Sequence, residues 1–531
     1  MGRRCAVAAL WLLAAAPGGL AVAAAPDPAA IASLSATASP TPLPLAAPAP
    51  PALPRAVRPV APPRRRAAAA PPAPQGRGGT VRGALRRALL AGHLRQGEHD
   101  RLRRQWRDAE RLARRLPGRR AAELRAVLAA IADLAARGRL TPGRLPVAFL
   151  TVRRNAFAWS ERPLPAVRQR TTFARDPLIW QYYPGRGWQL QALATAGRAN
   201  ALGGVCARER ARGRPAQHGP RCRPAALGRI LDRLVEMSVR RGSFRAWEAM
   251  YGFGGARPGW ISGMTQATAI QALVRGAAAL ERPELRDVAR SALRAFERRP
   301  PVGVAAPAGG GGRFYLLYSD LPQLKVLNGH LQALIGLREA AQRGLSVRAG
   351  RAFRAGQRAA RRAVPASDTG AWSLYSTGGR ESDLGYHRLV GGFLRDLCDA
   401  TGRGLYCGAG KRFARYEREP PRVQVAPLPR LRAGRPARLA FRLSKVAVVR
   451  VTVASRRTGA ALDVQTRLGR GTHAFGFRPP GKGTYRVRVR AAALSGPVAS
   501  TARDVVVRPL RRPRKAGAKA RRGPRRAAAR P

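Results

Sequence analysis

Acidic side chains are scarce in this 531-residue sequence, where 28 Asp and Glu stand against 99 Lys and Arg for a formal charge of +71. Histidine is scarcer, at six residues. Lysine is confined to Lys325, Lys411, Lys445, Lys482, Lys515 and Lys519, so 99 − 6 leaves 93 arginines. Neither Cys206 with Cys222 nor Cys398 with Cys407 has zinc-ligand spacing with a second set nearby, which argues against a metal site. No later apolar run reaches the length of about 18 residues that a membrane-spanning helix needs. Phosphate-binding Gly-Lys loops, Gly-x-Ser-x-Gly nucleophile elbows and zinc-protease helices are missing too. The common nucleotide-hydrolysing, serine-hydrolase and zinc-protease chemistries are thereby set aside.

What is present in excess is arginine, beside 57 Gly and 45 Pro. Part of that bias reflects GC-rich coding, but its physical consequence stands: the surface attracts polyanions in a salt-dependent way. Residues 1–4 carry two arginines, Cys5 to Ala16 is apolar, and Ala21 to Ala25 are small apart from one valine. This pattern predicts a signal peptide over residues 1–25, cleaved or kept as an anchor, and a secreted or cell-surface chain. Export turns the expected partner away from nucleic acid and toward acidic polysaccharides and anionic cell-wall polymers. Cys206, Cys222, Cys398 and Cys407 then favour disulfides over free thiols. Of the three possible connectivities the sequence-local one is expected, Cys206 with Cys222 and Cys398 with Cys407.

At 57.0 kDa the chain exceeds what one hydrophobic core supports. Residues 26–78 are Ala/Pro-rich and read as a disordered linker. Apolar residues at three and four spacing predict helices from Thr80 to Arg139, through Leu85, Leu89, Leu90, Leu102, Trp106, Leu112, Leu124, Val127, Leu128, Ile131 and Leu134. Residues 146–190 are expected to be irregular and aromatic. Helices follow at about 188–201, 224–241, 262–280, 283–299, 325–343, 346–363, 382–401 and 405–417. Beyond Pro420 the period changes to two, predicting short strands at Ala437 to Phe441, Val446 to Val453, His473 to Phe477, Thr484 to Arg490 and Ala502 to Val507. The fold class expected is mainly α, an incomplete α/α toroid over 79–420, followed by an immunoglobulin-like β-sandwich over 421–508 and a basic disordered tail over 509–531.

Four sequence words stand out: Tyr182 to Gln191 (YYPGRGWQLQ), Pro258 to Gln266 (PGWISGMTQ), Tyr318 to His330 (YSDLPQLKVLNGH) and Asp368 to Tyr375 (DTGAWSLY), the last followed by Tyr386 and His387. Their combined order, over residues 180–402, resembles the catalytic end of the D-glucuronyl carbon-5 epimerases. The resemblance implies a cofactor-free isomerase that converts D-glucuronate to L-iduronate within an acidic, heparan sulfate-like polysaccharide. Its three functional tyrosines fall on Tyr318, Tyr375 and Tyr386, all expected at helix openings. Arg380 is the candidate for holding the substrate carboxylate. His387, Asn328, Trp260, Gln189 and Trp372 are further substrate-binding candidates, and a homodimer is allowed.

The chemistry fits these residue types. Inverting carbon 5 removes a proton beside a carboxylate and returns one to the opposite face, so it needs an acid and a base across the ring and donors for the developing charge. Phenols, with an ordinary pKa near 10, serve where cations lower that value. One departure is marked: the resemblance expects glutamate before the first tyrosine, and Leu317 stands there, leaving Tyr318, Asp320 or Glu381 as substitutes. Two alternatives share the polymer, a uronan lyase that expels the carbon-4 substituent after the same proton abstraction, and a non-catalytic wall-binding protein. His330 reads as a packing residue, and the stretch from Asp368 to Gly370 as an Asp-initiated turn.

Overall fold

A computed structural model describes residues 79–211 and 221–510. The expected signal peptide and linker, and all but the first two residues of the basic tail, lie outside the described residues. The chain divides into two compact units, 79–238 with 271–289 and 239–270 with 290–510.

The first unit opens with α1 (Val81–Leu90), α2 (Gln96–Arg115) and α3 (Gly118–Ala136). The Thr80 hydroxyl caps α1 by accepting the Gly83 N–H at 3.0 Å. The predicted apolar stripe is buried at Leu85, Leu102, Trp106, Leu124, Val127 and Ile131, whereas Leu90 points to solvent. Where irregular chain was expected, Leu145–Glu161 forms α4. Pro146 sits in its first turn, where the missing N–H breaks no helical bond, and Leu145, Ala148, Val152, Asn155 and Trp159 make a buried face at helical spacing. The aromatic remainder is an antiparallel meander of β1 (Arg170–Phe173), β2 (Asp176–Tyr183) and β3 (Gly187–Leu190). Then come α5 (Ala192–Ala211) and α6 (Pro224–Glu236), with Cys206 disulfide-bonded to Cys222.

The word from Tyr182 to Gln191 is the β2–β3 turn, and buried carboxamide and carboxylate groups fix it. Glu123 accepts the N–H groups of Gly185 and Gly187 at 2.8 and 2.9 Å and the Tyr182 hydroxyl at 2.6 Å. Asn155 takes the Trp188 N–H at 2.7 Å and gives its own N–H to the Trp188 carbonyl.

The second unit contains the hairpins β4 (Val239–Arg241) with β5 (Phe244–Ala246) and β6 (Glu248–Ala249) with β7 (Trp260–Ile261). Helices α7 (Gly263–Leu280) and α8 (Glu284–Ala292) are divided between the units. After β8 (Ala305–Pro307) and β9 (Arg313–Tyr315) come α9 (Leu327–Gln342), α10 (Val347–Ala366), α11 (Leu384–Thr401) and α12 (Gly404–Arg418), each within three residues of its predicted ends. Cys398 is disulfide-bonded to Cys407. Gly336 lets α9 approach α7: a Cβ there would lie 2.6 Å from the Ala267 carbonyl oxygen.

The C-terminal strands form two sheets. One has the order β10 (Val423–Val425), β12 (Ala437–Leu443), β15 (Gly471–Phe477); the other runs β11 (Leu431–Arg432), β17 (Val498–Arg508), β16 (Gly483–Ala493), β13 (Ala447–Ser455), β14 (Gly459–Leu468). Leu439, Phe441 and Leu443 of the first sheet share one buried core with Val449, Val451, Val453, Val487 and Val489 of the second. The alternate residues Arg450, Arg486, Arg488 and Arg490 face solvent, which is the half-buried alternation the sequence showed. Strand β14 was not expected because little of it is fully buried, so its period is weak in the sequence.

Candidate active site

All three predicted tyrosines lie in the second unit, and the structure pairs two of them. The chain between α10 and α11 folds into a short hairpin. Tyr375 N–H donates to the Arg380 carbonyl at 2.9 Å, Ser382 N–H to that of Ser373 at 2.9 Å, and Leu374 pairs with Glu381. Gly378, at φ +71, makes the tip, a left-handed conformation that glycine adopts without strain. Helix α11 follows at once, capped by Asp383, whose Oδ1 accepts the Tyr386 N–H at 2.8 Å. That geometry sets the Tyr386 ring edge-on to Tyr375, with centroids 5.0 Å apart and planes at 84°. Arg380 is exposed, and among the described residues no side-chain partner engages its guanidinium.

The hairpin is tied to the start of α9. The Tyr375 carbonyl accepts the N–H of Leu327, Thr377 N–H donates to the Lys325 carbonyl, and Val326 pairs with Ser376. Two helix openings, α9 and α11, are thereby set against one hairpin, and their N-terminal dipoles favour negative charge beside the phenols.

Tyr318 lies at the other end of the segment that Val326 closes. It is gripped from both sides, as Gly263 N–H bonds the Leu316 carbonyl and Ser319 N–H bonds that of Ile261. Its ring stacks on Phe253 at 5.6 Å and tilts against Trp260 at 5.1 Å, while the Trp260 indole N–H donates to the Tyr251 carbonyl at 2.9 Å. Tyr318 keeps 8% of its surface exposed. An aromatic cluster of Tyr251, Phe253, Trp260 and Tyr318 results, with three of its four rings buried. Trp260, expected as a substrate-binding residue, is a buried member of this cluster. Tyr251 and Phe253 were passed over, although the Gly- and Pro-rich aromatic link around them was the available signal.

Several expectations need correction. Among the tyrosines only Tyr386 opens a helix; Tyr318 and Tyr375 sit in loops, because their local words are turns held by backbone pairing. His387 cannot bind substrate. It is fully buried, its Nε2 donates to the Phe413 carbonyl at 3.0 Å, its Nδ1 faces the Ser373 hydroxyl at 2.8 Å, and its ring stacks on Trp372 at 3.7 Å. Burial pushes its pKa down to about 4, and does the same for His330. His330 is a packing residue as expected, receiving the Tyr315 N–H on Nδ1 and meeting the Gly356 carbonyl through Nε2. Trp372 is core, its indole N–H spent on the Ser382 carbonyl at 2.9 Å. Asn328 is buried, with its side-chain oxygen turned back on the Gly329 N–H. Gln189 is buried in β3 of the other unit and donates to the Arg186 carbonyl.

Glu381 also fails as a replacement base. Its Oε1 accepts the Val446 N–H at 2.9 Å and its Oε2 the Arg470 N–H at 2.6 Å, and burial raises its pKa in spite of both bonds. Asp320 remains half-buried, with the Ser319 hydroxyl at 3.1 Å as its one partner among the described residues. Leu317 packs against Gly329, where an added Cβ would meet its own Cβ at 3.0 Å.

Residues 241–415, about a third of the chain, match the family model described as the D-glucuronyl C5-epimerase C-terminus. This segment belongs to that family. It contains Tyr318, Tyr375, Arg380 and Tyr386, whereas the word from Tyr182 to Gln191 lies outside it. The chain thus carries a carbohydrate-epimerase segment. No curated protein matches the chain. Among solved structures, the cellobiose 2-epimerase from Bacillus thermoamylovorans B4167 is 11% identical over 56% of this chain and 75% of its own, with a TM-score of 0.33. That from Spirochaeta thermophila DSM 6192 is 14% identical over 55% and 72%, at 0.31. At those scores neither similarity bears on fold or function.

Proposed function

We propose that this protein inverts carbon 5 of uronic acid residues within an acidic polysaccharide. The observation that carries the reading is the Tyr375–Tyr386 ring pair with the exposed Arg380 opposite Tyr375 on the hairpin, inside the epimerase-family segment. In this reading Arg380 holds the substrate carboxylate, and the openings of α9 and α11 favour a phenolate. One phenolate takes the proton as the C5–H bond breaks, and the electron pair spreads into the carboxylate. A protonated phenol on the other face, for which Tyr318 is the candidate, gives a proton back to carbon 5, leaving the chain intact. Trp260 and its neighbours would seat the sugar ring. The two disulfides fit an oxidising, extracytoplasmic setting. An α/α toroid for the helices and immunoglobulin-like connectivity for the sheets belong to the same proposal, with the outward arginines of the five-stranded sheet holding anionic wall or matrix polymer.

The second reading, a non-catalytic polymer binder, draws on Leu317 standing where the family resemblance expects glutamate. Incubation with several uronans in heavy water separates the readings. Mass gained at carbon 5 without chain cleavage, and a drop of about a hundredfold in Tyr386→Phe, is the expected result. An unsaturated product absorbing in the near ultraviolet would mean a lyase. Equal polymer binding by parent and Tyr386→Phe, with no deuterium gained by either, would mean a binder.

A further inference from the structure

The β-sheets of the second unit do more than follow the catalytic helices in sequence. The hairpin from Trp372 to Ser382 alternates as any two-stranded ribbon does, so the facing pair Tyr375 and Arg380 lies on one side and the facing pair Leu374 and Glu381 on the other. The second side meets the sheets. Glu381 spans two of their turns, accepting the Val446 N–H before β13 and the Arg470 N–H between β14 and β15. Neither turn is loose: His473 bonds the Gly469 carbonyl at 2.8 Å, and Val446 follows Lys445, whose buried ammonium donates to the Tyr416 carbonyl at 2.6 Å and to that of Glu419. The same ammonium sits 5.4 Å above the ring centroid of Trp372, on the first strand of the hairpin. A carboxylate placed on two backbone amides makes two charge-assisted bonds, roughly twice as strong as neutral ones.

We propose that Glu381 is a positioning residue, through which the C-terminal sheets fix the hairpin that presents Tyr375 and Arg380. The sheets are then part of the catalytic apparatus, and their loss or loosening slows chemistry even where polymer binding is unchanged. This rests on the epimerase reading for its catalytic consequence. The mechanical link itself does not depend on that reading.

The test uses the full chain and two replacements, Glu381→Gln and Glu381→Asp. Glutamine keeps the shape but can accept from only one of the two amides. Aspartate keeps the charge on a shorter arm. Hydrogen exchange read by mass on peptides covering residues 372–382 is expected to rise at least about tenfold in Glu381→Gln, with peptides of α9 and α10 unchanged, and to rise less in Glu381→Asp. For deuterium incorporation into uronan, kcat is expected to fall about ten- to a hundredfold in Glu381→Gln while KM changes less than about twofold. Unchanged exchange over 372–382 would overturn the link. A loosened hairpin with undiminished kcat would overturn the positioning role. A parent with no activity on any uronan but the expected exchange difference would sink the epimerase reading and leave the link standing. Equal loss of protection across α9, α10 and the hairpin would mean general unfolding, and would also overturn it.

Discussion

Lowering the pH from about 7 to about 5 removes stability from the second unit through His330 and His387. Both rings are fully buried and held neutral, with folded pKa values near 4 against an ordinary 6.5. A depressed folded value means that the unfolded chain binds the proton first. Stability is therefore complete above 6.5 and declines as the pH falls toward 4, where the folded rings begin to accept protons. Taking 6.5 and about 4, each ring contributes about 2 kcal/mol less at pH 5 than at pH 7, and the two together about 4 kcal/mol. That is a large fraction of ordinary domain stability. Glu381 and Asp396 act with the opposite sign, because burial raises their carboxyl pKa values, so the histidines must be read directly. Ring NMR on selectively labelled histidine should show two rings that do not titrate between pH 7 and 5. Urea unfolding should show the midpoint falling over the same interval. If the resonances of His330 or His387 titrate near 6.5, the buried neutral assignment is wrong; if they do not and the midpoint still fails to move, the linkage is.

Gly336→Ala puts a methyl 2.6 Å from the Ala267 carbonyl oxygen and should cost roughly 2 kcal/mol or more, seen as a lower urea midpoint. Replacing Cys398 and Cys407 by serine opens a link of sequence separation 9 and should cost about 2–3 kcal/mol, read the same way with the other disulfide intact. Leu317→Glu places a carboxylate against the first turn of α9, where the dipole offsets part of its desolvation. It should shift stability by less than about 1 kcal/mol and raise deuterium incorporation severalfold. Asp320→Asn should lower that incorporation by about tenfold or more if Asp320 has taken over the base role, and an unchanged rate would leave the phenols alone in it.

The helices were legible because each buries one stripe at 3.6-residue spacing, and the strand region because buried Val and Tyr alternate with exposed Arg. Helix α4 was hidden by its own richness in rings and by Pro146, which reads as a breaker unless it is placed in the first turn. Three of the four family words fall in the segment that matches the family, with the three tyrosines and Arg380, while the word from Tyr182 to Gln191 falls outside it. What a word does locally was not legible. Trp372 and His387 look like binding groups in a list of polar and aromatic residues, and only the burial of both faces by each other, Phe413 and Lys445 makes them core. The partners of Glu381 are 65 and 89 residues away in sequence, so no local pattern announces them.

The carboxylates near the site narrow the chemistry further. Glu248 is buried against Arg241 at 2.8 Å, and Asp368 is taken by Arg412, Tyr416 and the Gly370 N–H. Asp383 caps α11, and Glu381 is held by two amides. A carboxylate committed to such bonds is held away from a substrate proton, even where burial raises its pKa as at Glu381. Among the described residues Asp320 has a single hydroxyl partner, Ser319, which is also the residue after Tyr318. Under the proposed function, Leu317 in place of the glutamate that the resemblance expects still leaves Asp320 as a candidate base. In the epimerase reading the candidate bases are then the phenols and this one neighbouring aspartate, which the Asp320→Asn comparison separates.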